Sequence, residues 1–401
     1  MKIAMAIEHF SVHRGGAESY AVELARSLVS RGWEVHLFGH SWEQDPSQAI
    51  FHPIAELPGW IPPSIRILHF AYRHRTLVSG QTFDVVLGFG NTLLMNVYQS
   101  HGGVHYLSNI RKMKAVPYPA LRFLKRLGLW VTPKYHARAW IESAPFRMPH
   151  TPTVVAISDM VKNDMAEYFG LNPSQIRLVY NGISTSRFGK KRDPERRKAF
   201  RKNLGFDDEV VFLFMAYDFR KKGVGYLIDA AGKLLPNVGP RRFGVVVVGG
   251  TPSRALQRQV RRLGLEGIVT FHSATKEPEA YYEACDVFVL PTFYDACSLV
   301  VFEAMAAGLP VITTVCNGAA GILHPGRDGM VIQDPTDTDE IARAIGYFLD
   351  HQVLASASSG ARETASTFTI ERNHEQMISI FEETAATMAP RPAEQRPNLL
   401  A

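Results

Sequence analysis

The 401 residues are 46% hydrophobic and 20% charged, with 44 basic and 38 acidic side chains and a formal net charge of +6. That length exceeds the roughly 250 residues at which one hydrophobic core stops growing, and the composition excludes disorder over most of the chain, so two globular domains are expected. No apolar run nears the ~18 residues of a membrane-spanning helix, the apolar stretch of MKIAMAIEHF is too short for a signal peptide, and Cys285, Cys297 and Cys316 form no CxxC pair; a cytosolic protein without a disulfide framework or zinc knuckle is expected.

In chain order, short apolar runs at 3–7, 34–39, 83–90, 153–158, 210–217, 243–250, 268–273, 287–292, 309–314 and 329–334 predict buried parallel strands. Helical patterns lie between them. Tyr20, Leu24 and Leu28 fall one turn apart and end at Gly32, while Ile341, Ile345 and Leu349 follow a capping Thr338 or Asp339. Strands alternating with helices make the chain α/β with parallel sheets. The strand series pauses between Ser158 and Val210, which puts a domain boundary near residue 180, and the proline-rich tail 389–401 is expected to be disordered.

Ligands of open parallel sheets bind at the carboxyl ends of strands, so chemistry is sought just after each apolar run. After the first strand, Gly15 and Gly16 precede a helix whose first amides can face a phosphate or sugar hydroxyl, or simply make a tight turn. After the third, His101 stands beside Gly102 and Gly103, placed for a polar contact to a sugar or for a structural role; without HExxH, His101 and His105 do not suggest zinc.

The positive charge is local. No acid occurs between Asp84 and Glu142, a window holding Arg111, Lys112, Lys114, Arg122, Lys125, Arg126, Lys134 and Arg138; the other 36 basic residues nearly balance the 38 acids. On a helical wheel Arg122, Lys125 and Arg126 share one side and Phe123, Leu124, Leu127 and Trp130 cover most of the other. That pattern suits a helix lying on an anionic membrane, or one packing its apolar face on its own domain; both remain open at this point. No recognised module indicates nucleic acid.

Arg220, Lys221 and Lys222 follow the strand at 210–217 and precede a glycine-containing helix start, where cations would hold a diphosphate. The segment VFVLPTFYDACSLVVFEAMAAGLPVITT reads as a strand, a loop with Asp295 facing a cleft, a helix starting near Ser298 and carrying Glu303, and a turn into another strand. Asp337, Thr338 and Asp339 spell DxD but open a helix, where acids serve as caps, so no metal role is assigned.

Four segments together, RGGAE at Arg14 to Glu18, VYNGISTSRF at Val179 to Phe188, DFRKKGVGYLIDA at Asp218 to Ala230 and FYDACSLVVFEAMAAGLPVITT at Phe293 to Thr314, resemble the retaining two-domain glycosyltransferases of the GT-B, family 4 type. The overall look is most similar to lipopolysaccharide core glucosyltransferases. The resemblance implies two facing Rossmann-like domains: an acceptor domain at 1–180, completed by a crossover helix at about 369–388 acting as a hinge strap, and a nucleotide-sugar donor domain at 181–368. It implies that Glu303 holds the ribose hydroxyls and that Asp295, where relatives usually have Glu, contacts the donor sugar. Lys221 and Lys222, where relatives usually have Arg-Lys, would hold the diphosphate with Arg220 and the amides around Cys297, Ser298 and Leu299. His101 would position the sugar, and the Gly15–Gly16 loop would close over donor and acceptor.

The implied reaction moves a hexose, with a UDP-sugar favoured, to a saccharide acceptor such as a lipid-anchored core glycan at the inner membrane face. It proceeds with retention, with no protein nucleophile, no metal and no cofactor. His101, Lys222 and Asp295 would carry the catalysis. The alternatives are a non-hydrolysing sugar-nucleotide epimerase and an inactive relative that tethers a glycolipid or membrane.

Overall fold

The computed structural model describes residues 1–388 except 13, 44–48, 117, 149, 190–192 and 240–241; the tail at 389–401 lies outside the described residues. Two all-parallel sheets carry the chain. The first has seven strands in the spatial order Ile50–Pro53, Glu34–Gly39, Lys2–Ala6, Val85–Gly88, Val97–Ser100, Thr153–Ala156 and Ile176–Leu178. The second has six, in the order Val269–Ser273, Phe243–Gly249, Val210–Ala216, Val287–Leu290, Val311–Thr314 and Gly329–Ile332. In both, the chain adds strands to one side of its first strand and then crosses to the other. Each sheet therefore has a switch point, beside Lys2–Ala6 and beside Val210–Ala216, where the crossing connections diverge and leave a crevice at the carboxyl ends.

The central strands are rich in β-branched and aromatic residues and are buried along their length, as a sheet covered by helices on both faces requires. Every predicted strand forms, though most are shorter than their apolar run. The run at 83–90 yields only Val85–Gly88, and Gly90, at φ +96°, leaves the sheet. Three full strands escaped prediction: Ile50–Pro53 and Ile176–Leu178 at the edges, and Val97–Ser100 inside. Ile176–Leu178 lies in the stretch expected to be free of strands, because three residues at an edge show no periodicity. A two-stranded ladder of His9–Phe10 with Ser41–Trp42 was also missed.

Helix Gly16–Ser30 buries Tyr20, Leu24 and Leu28 as expected. Helix Thr338–Tyr347 is capped by Asp337, whose side chain accepts from the Asp339 and Glu340 amides; neither Thr338 nor Asp339 is the cap, and Leu349 lies beyond the helix. The basic stretch forms three helices, His105–Met113, Pro119–Val131 and Pro133–Ser143, the last two starting with proline, whose missing amide costs nothing there.

The last helix, Ile370–Met388, returns to the first sheet. Met377, Ile378, Ile380 and Phe381 join the core built from Ile3, Met5, Leu24, Val35 and Val155, and Asn373 donates to the Tyr180 carbonyl at 2.7 Å. Removing the fully buried Phe381 ring deletes packing against Trp33 and leaves a cavity. Phe381→Ala is expected to cost roughly 3–5 kcal/mol in chemical denaturation; a loss under 1 kcal/mol would show that the helix does not dock this way.

Candidate active site

The second sheet's switch point brings two connections together. Strand Val210–Ala216 leads through Asp218 and a turn to helix Val224–Val238, and strand Val287–Leu290 leads through a loop to helix Leu299–Ala306. The turn needs Gly223: its φ is +80°, and a Cβ would lie 2.1 Å from the Pro291 carbonyl oxygen. The Phe293 amide donates to the Lys221 carbonyl at 3.0 Å, which ties the two connections side by side. As a result Lys222, from the first, forms an ion pair with Asp295, from the second. Lys221 pairs with Asp218 at 2.6 Å, and Arg220 is exposed.

The Asp295 backbone is pinned by its amide to the Cys316 carbonyl at 3.0 Å and by its carbonyl to the Gly318 amide at 2.8 Å. Asn317 orders the helix start, its Oδ1 accepting from the Ser298 amide at 3.3 Å. This corrects one expectation. The Ser298 amide serves Asn317, the Cys297 carbonyl accepts from Asn181 at 2.9 Å, and the Cys297 thiol is buried and pushed up by that burial. The amides of Cys297, Leu299 and Val300 make no hydrogen bond among the described residues, so of the three predicted donors only Ser298 is taken. Glu303 lies one turn into the helix, and its Oε2 accepts from the Tyr282 hydroxyl at 2.8 Å. Burial raises its carboxyl above the usual range, against that hydrogen bond.

Across the crevice the first sheet contributes Gly15, Gly16 and His101. Gly16 opens its helix against the second domain: a Cβ there would lie 3.1 Å from Leu299 Cδ1, so the starts of two helices approach one another across the cleft. The His101 ring is enclosed by Tyr20 and Phe89, with centroids at 4.5 and 5.3 Å, and its buried Nε2 has no hydrogen-bond partner among the described residues. Burial lowers its pKa to about 3. His101 is therefore neutral at neutral pH and can exchange a hydrogen bond with a hydroxyl, but cannot supply a proton as an imidazolium.

Gly103 proves to admit a neighbouring residue. Its φ is +66°, and a Cβ would stand 1.7 Å from the Tyr294 hydroxyl, which donates to the Gly102 carbonyl at 3.3 Å. Ser158 Oγ donates to the Ala296 carbonyl at 2.7 Å, a second contact between the sheets' loops. Tyr282, Tyr294, Asn181 and Asn317 were missed from sequence. Tyr294 alone had a signal, as the neighbour of Asp295; the others are recognisable only once the chain has folded. Among the described residues no group of three or more His, Cys, Asp or Glu is placed to hold a metal ion.

Two facing parallel sheets place cations, free helix amides and an unsatisfied histidine at their common crevice, an arrangement suited to holding an anionic, hydroxyl-bearing ligand. Comparison with known proteins specifies the class. The profile described as Glycosyltransferase Family 4 matches residues 14–187, and that described as Glycosyl transferases group 1 matches 208–351. The chain is 24% identical over 355 residues to lipopolysaccharide glucosyltransferase WaaG of Escherichia coli, covering 88% of this chain and 91% of that one. It is 26% identical over 405 residues to a D-inositol 3-phosphate glycosyltransferase of Geodermatophilus obscurus, covering 94% and 86%. The crystal structure of WaaG superimposes with a TM-score of 0.76 at 22% identity over 94% of this chain and 99% of that one. Anabaena HepE in complex with UDP and glucose superimposes with 0.68 at 18% identity, over 95% and 99%. The chain belongs to the glycosyltransferases of family 4 and has the GT-B fold.

The neutral His101 makes stability pH-dependent. Its folded pKa near 3 lies below the ordinary 6.5, so the unfolded chain takes up the proton first and stability falls as pH drops through 6.5 towards 3. Between pH 7 and 5 this one ring should account for about 2 kcal/mol. His101→Gln is expected to flatten the stability–pH curve by that amount in urea titrations, whereas parallel curves would show that the ring takes up its proton as readily in the fold as in the unfolded chain.

Proposed function

We propose that this enzyme transfers a hexose from a nucleotide sugar, a UDP-sugar by preference, to a saccharide acceptor carried on a lipid, with retention at the anomeric carbon. The observation that carries this reading is the Lys222–Asp295 pair at the second switch point, flanked by the open Leu299 and Val300 amides. A diphosphate there would compete with Asp295 for the Lys222 ammonium and accept from the amides, while Asp295 would turn to the sugar hydroxyls. Glu303, held by Tyr282, would accept from the ribose, and His101 would hydrogen-bond the sugar from the opposite wall. HepE, whose structure holds UDP and glucose, supports the choice of nucleotide; WaaG, named for lipopolysaccharide, supports a lipid-linked glycan.

As the glycosidic bond breaks, its electron pair passes to the β-phosphate oxygen. Preplaced cations and amides stabilise that growing charge more than the ground state. The acceptor oxygen attacks from the same face, and the leaving phosphate takes its proton. Closure through the Gly15–Gly16 loop would exclude water able to hydrolyse the donor.

Stabilisation by donor tests this directly. At a hundredfold excess over Kd the matching nucleotide sugar should stabilise the parent by about 2.7 kcal/mol. Among UDP-, GDP- and ADP-sugars, one should raise the melting temperature, and Glu303→Ala and Lys222→Ala should abolish the shift. No shift with any of them would sink the donor site.

Helix Pro119–Val131 supports the lipid-linked acceptor. It buries none of its residues: Phe123 is 63% exposed, Leu124 61% and Trp130 75%, so its apolar face does not pack on its own domain. Among the described residues no helix is long and apolar enough to cross a membrane. The helix would lie at the cytosolic surface of an anionic bilayer with Arg126 at the headgroups. Phe123→Ser with Trp130→Ser is expected to cut sedimentation with phosphatidylglycerol vesicles by at least tenfold while leaving nucleotide binding intact; unchanged sedimentation would remove the membrane from the proposal.

A further inference from the structure

Lys112 belongs by sequence to the basic stretch that invites a membrane, yet the fold turns it the other way. It lies in the last turn of helix His105–Met113, half-buried, with Nζ 5.1 Å above the ring of Tyr294, the residue next to Asp295. Its neighbour Arg111 meets the same ring at 5.7 Å but is neutralised by Asp164 through bonds of 2.5 and 2.6 Å. No carboxylate of the described residues lies within salt-bridge distance of Lys112.

Lys112 also lines a groove of about 630 Å³ together with Arg220 and Lys221 of the second domain, with Leu124, Lys125 and Leu129 of helix Pro119–Val131 on its rim. Burial, then the ammonium groups of Lys222 and Lys221, lower its pKa, while Asp295 and Asp218 act the other way. Those two carboxylates are already engaged, Asp295 by Lys222 and Asp218 by Lys221. Four cations thus converge on two carboxylates. The half-buried Lys112, with no carboxylate of its own among the described residues, is costly to keep charged unless an anion completes the set. The pyrophosphate of a nucleotide sugar, with one negative charge on each phosphate, is such an anion.

We propose that Lys112 reaches across the cleft to bind the donor's β-phosphate, so that the diphosphate is held by cations of both domains. This rests on the donor site assigned above. The consequence is directional. When the glycosidic bond breaks, its electron pair adds a further charge to the β-phosphate oxygen, and Lys112 strengthens its hold at that moment. Because Lys112 belongs to the first domain, its contact also couples diphosphate binding to closure.

The test compares the parent with Lys112→Met, which keeps the apolar stem over Tyr294, Lys112→Gln, and Lys112→Arg, which keeps the charge. Calorimetric titration with UDP and UMP separates a β-phosphate contact from a general loss of the site. For Lys112→Met and Lys112→Gln, UDP affinity should fall roughly tenfold with UMP affinity unchanged, kcat should fall more than KM rises, and Lys112→Arg should recover most of both. Sedimentation with phosphatidylglycerol vesicles should match the parent, since the side chain does not face the bilayer. A parental UDP-to-UMP ratio in both neutral variants, or loss of vesicle binding without loss of UDP binding, overturns the proposal. A parent that binds neither UDP, GDP nor ADP fails at the donor site itself, which is a distinguishable result.

Discussion

The whole arrangement depends on concentrating positive charge at one sheet edge and keeping it partly dry. Lys221 and Lys222 follow the first strand of the second sheet, where the switch in strand order opens a crevice, and helix Leu299–Ala306 starts alongside them. Such a cluster is unfavourable alone. Asp218 and Asp295 offset part of it, and because ion pairs of this kind are exchangeable for a better anion, the same contacts that keep the fold intact prepare it for a ligand. The choice of lysine over arginine gives point charges that can change partner without losing a bidentate fork.

What makes a cleft of this edge is contact between two domains at few points. Tyr294 inserts against Gly103, Ser158 binds the Ala296 carbonyl, Asn181 binds the Cys297 carbonyl, and Gly16 approaches Leu299. Each joins a loop after a strand of one sheet to the loop carrying Asp295 or the helix it starts. The site-bearing segment is therefore held from the opposite domain, and relative motion of the domains would move Asp295 with respect to His101. Helix Ile370–Met388 packs on the first core while its chain enters from the second domain, so the two domains share a second link.

The residues of the basic stretch differ in exposure. Phe123 and Trp130 of helix Pro119–Val131 are exposed, while its Leu124, Lys125 and Leu129 border the groove. Lys112, a few residues earlier, points inward to the cleft.

Much of this was legible in the sequence, because buried parallel strands are nearly continuous apolar runs and the order of motifs after them is set by chain direction alone. The runs at 3–7, 210–217 and 287–292 marked strands, and the glycines, lysines and acids behind them marked the carboxyl ends where ligands of such sheets bind. Strand Ile176–Leu178 was not legible, since pairing with Thr153–Ala156 and not its own pattern makes it a strand. Asp337 as the cap, the occupied Ser298 amide and the outward face of helix Pro119–Val131 were equally hidden, for each depends on which neighbour the fold supplies. The sequence alone determined which residues could bind an anion and which apolar runs would be buried. Only the tertiary structure decided that Lys222 meets Asp295, that Tyr294 and not a ligand occupies the space at Gly103, and that Lys112 faces the cleft, because hydrogen bonds and ion pairs act over a few ångströms and those residues are far apart along the chain.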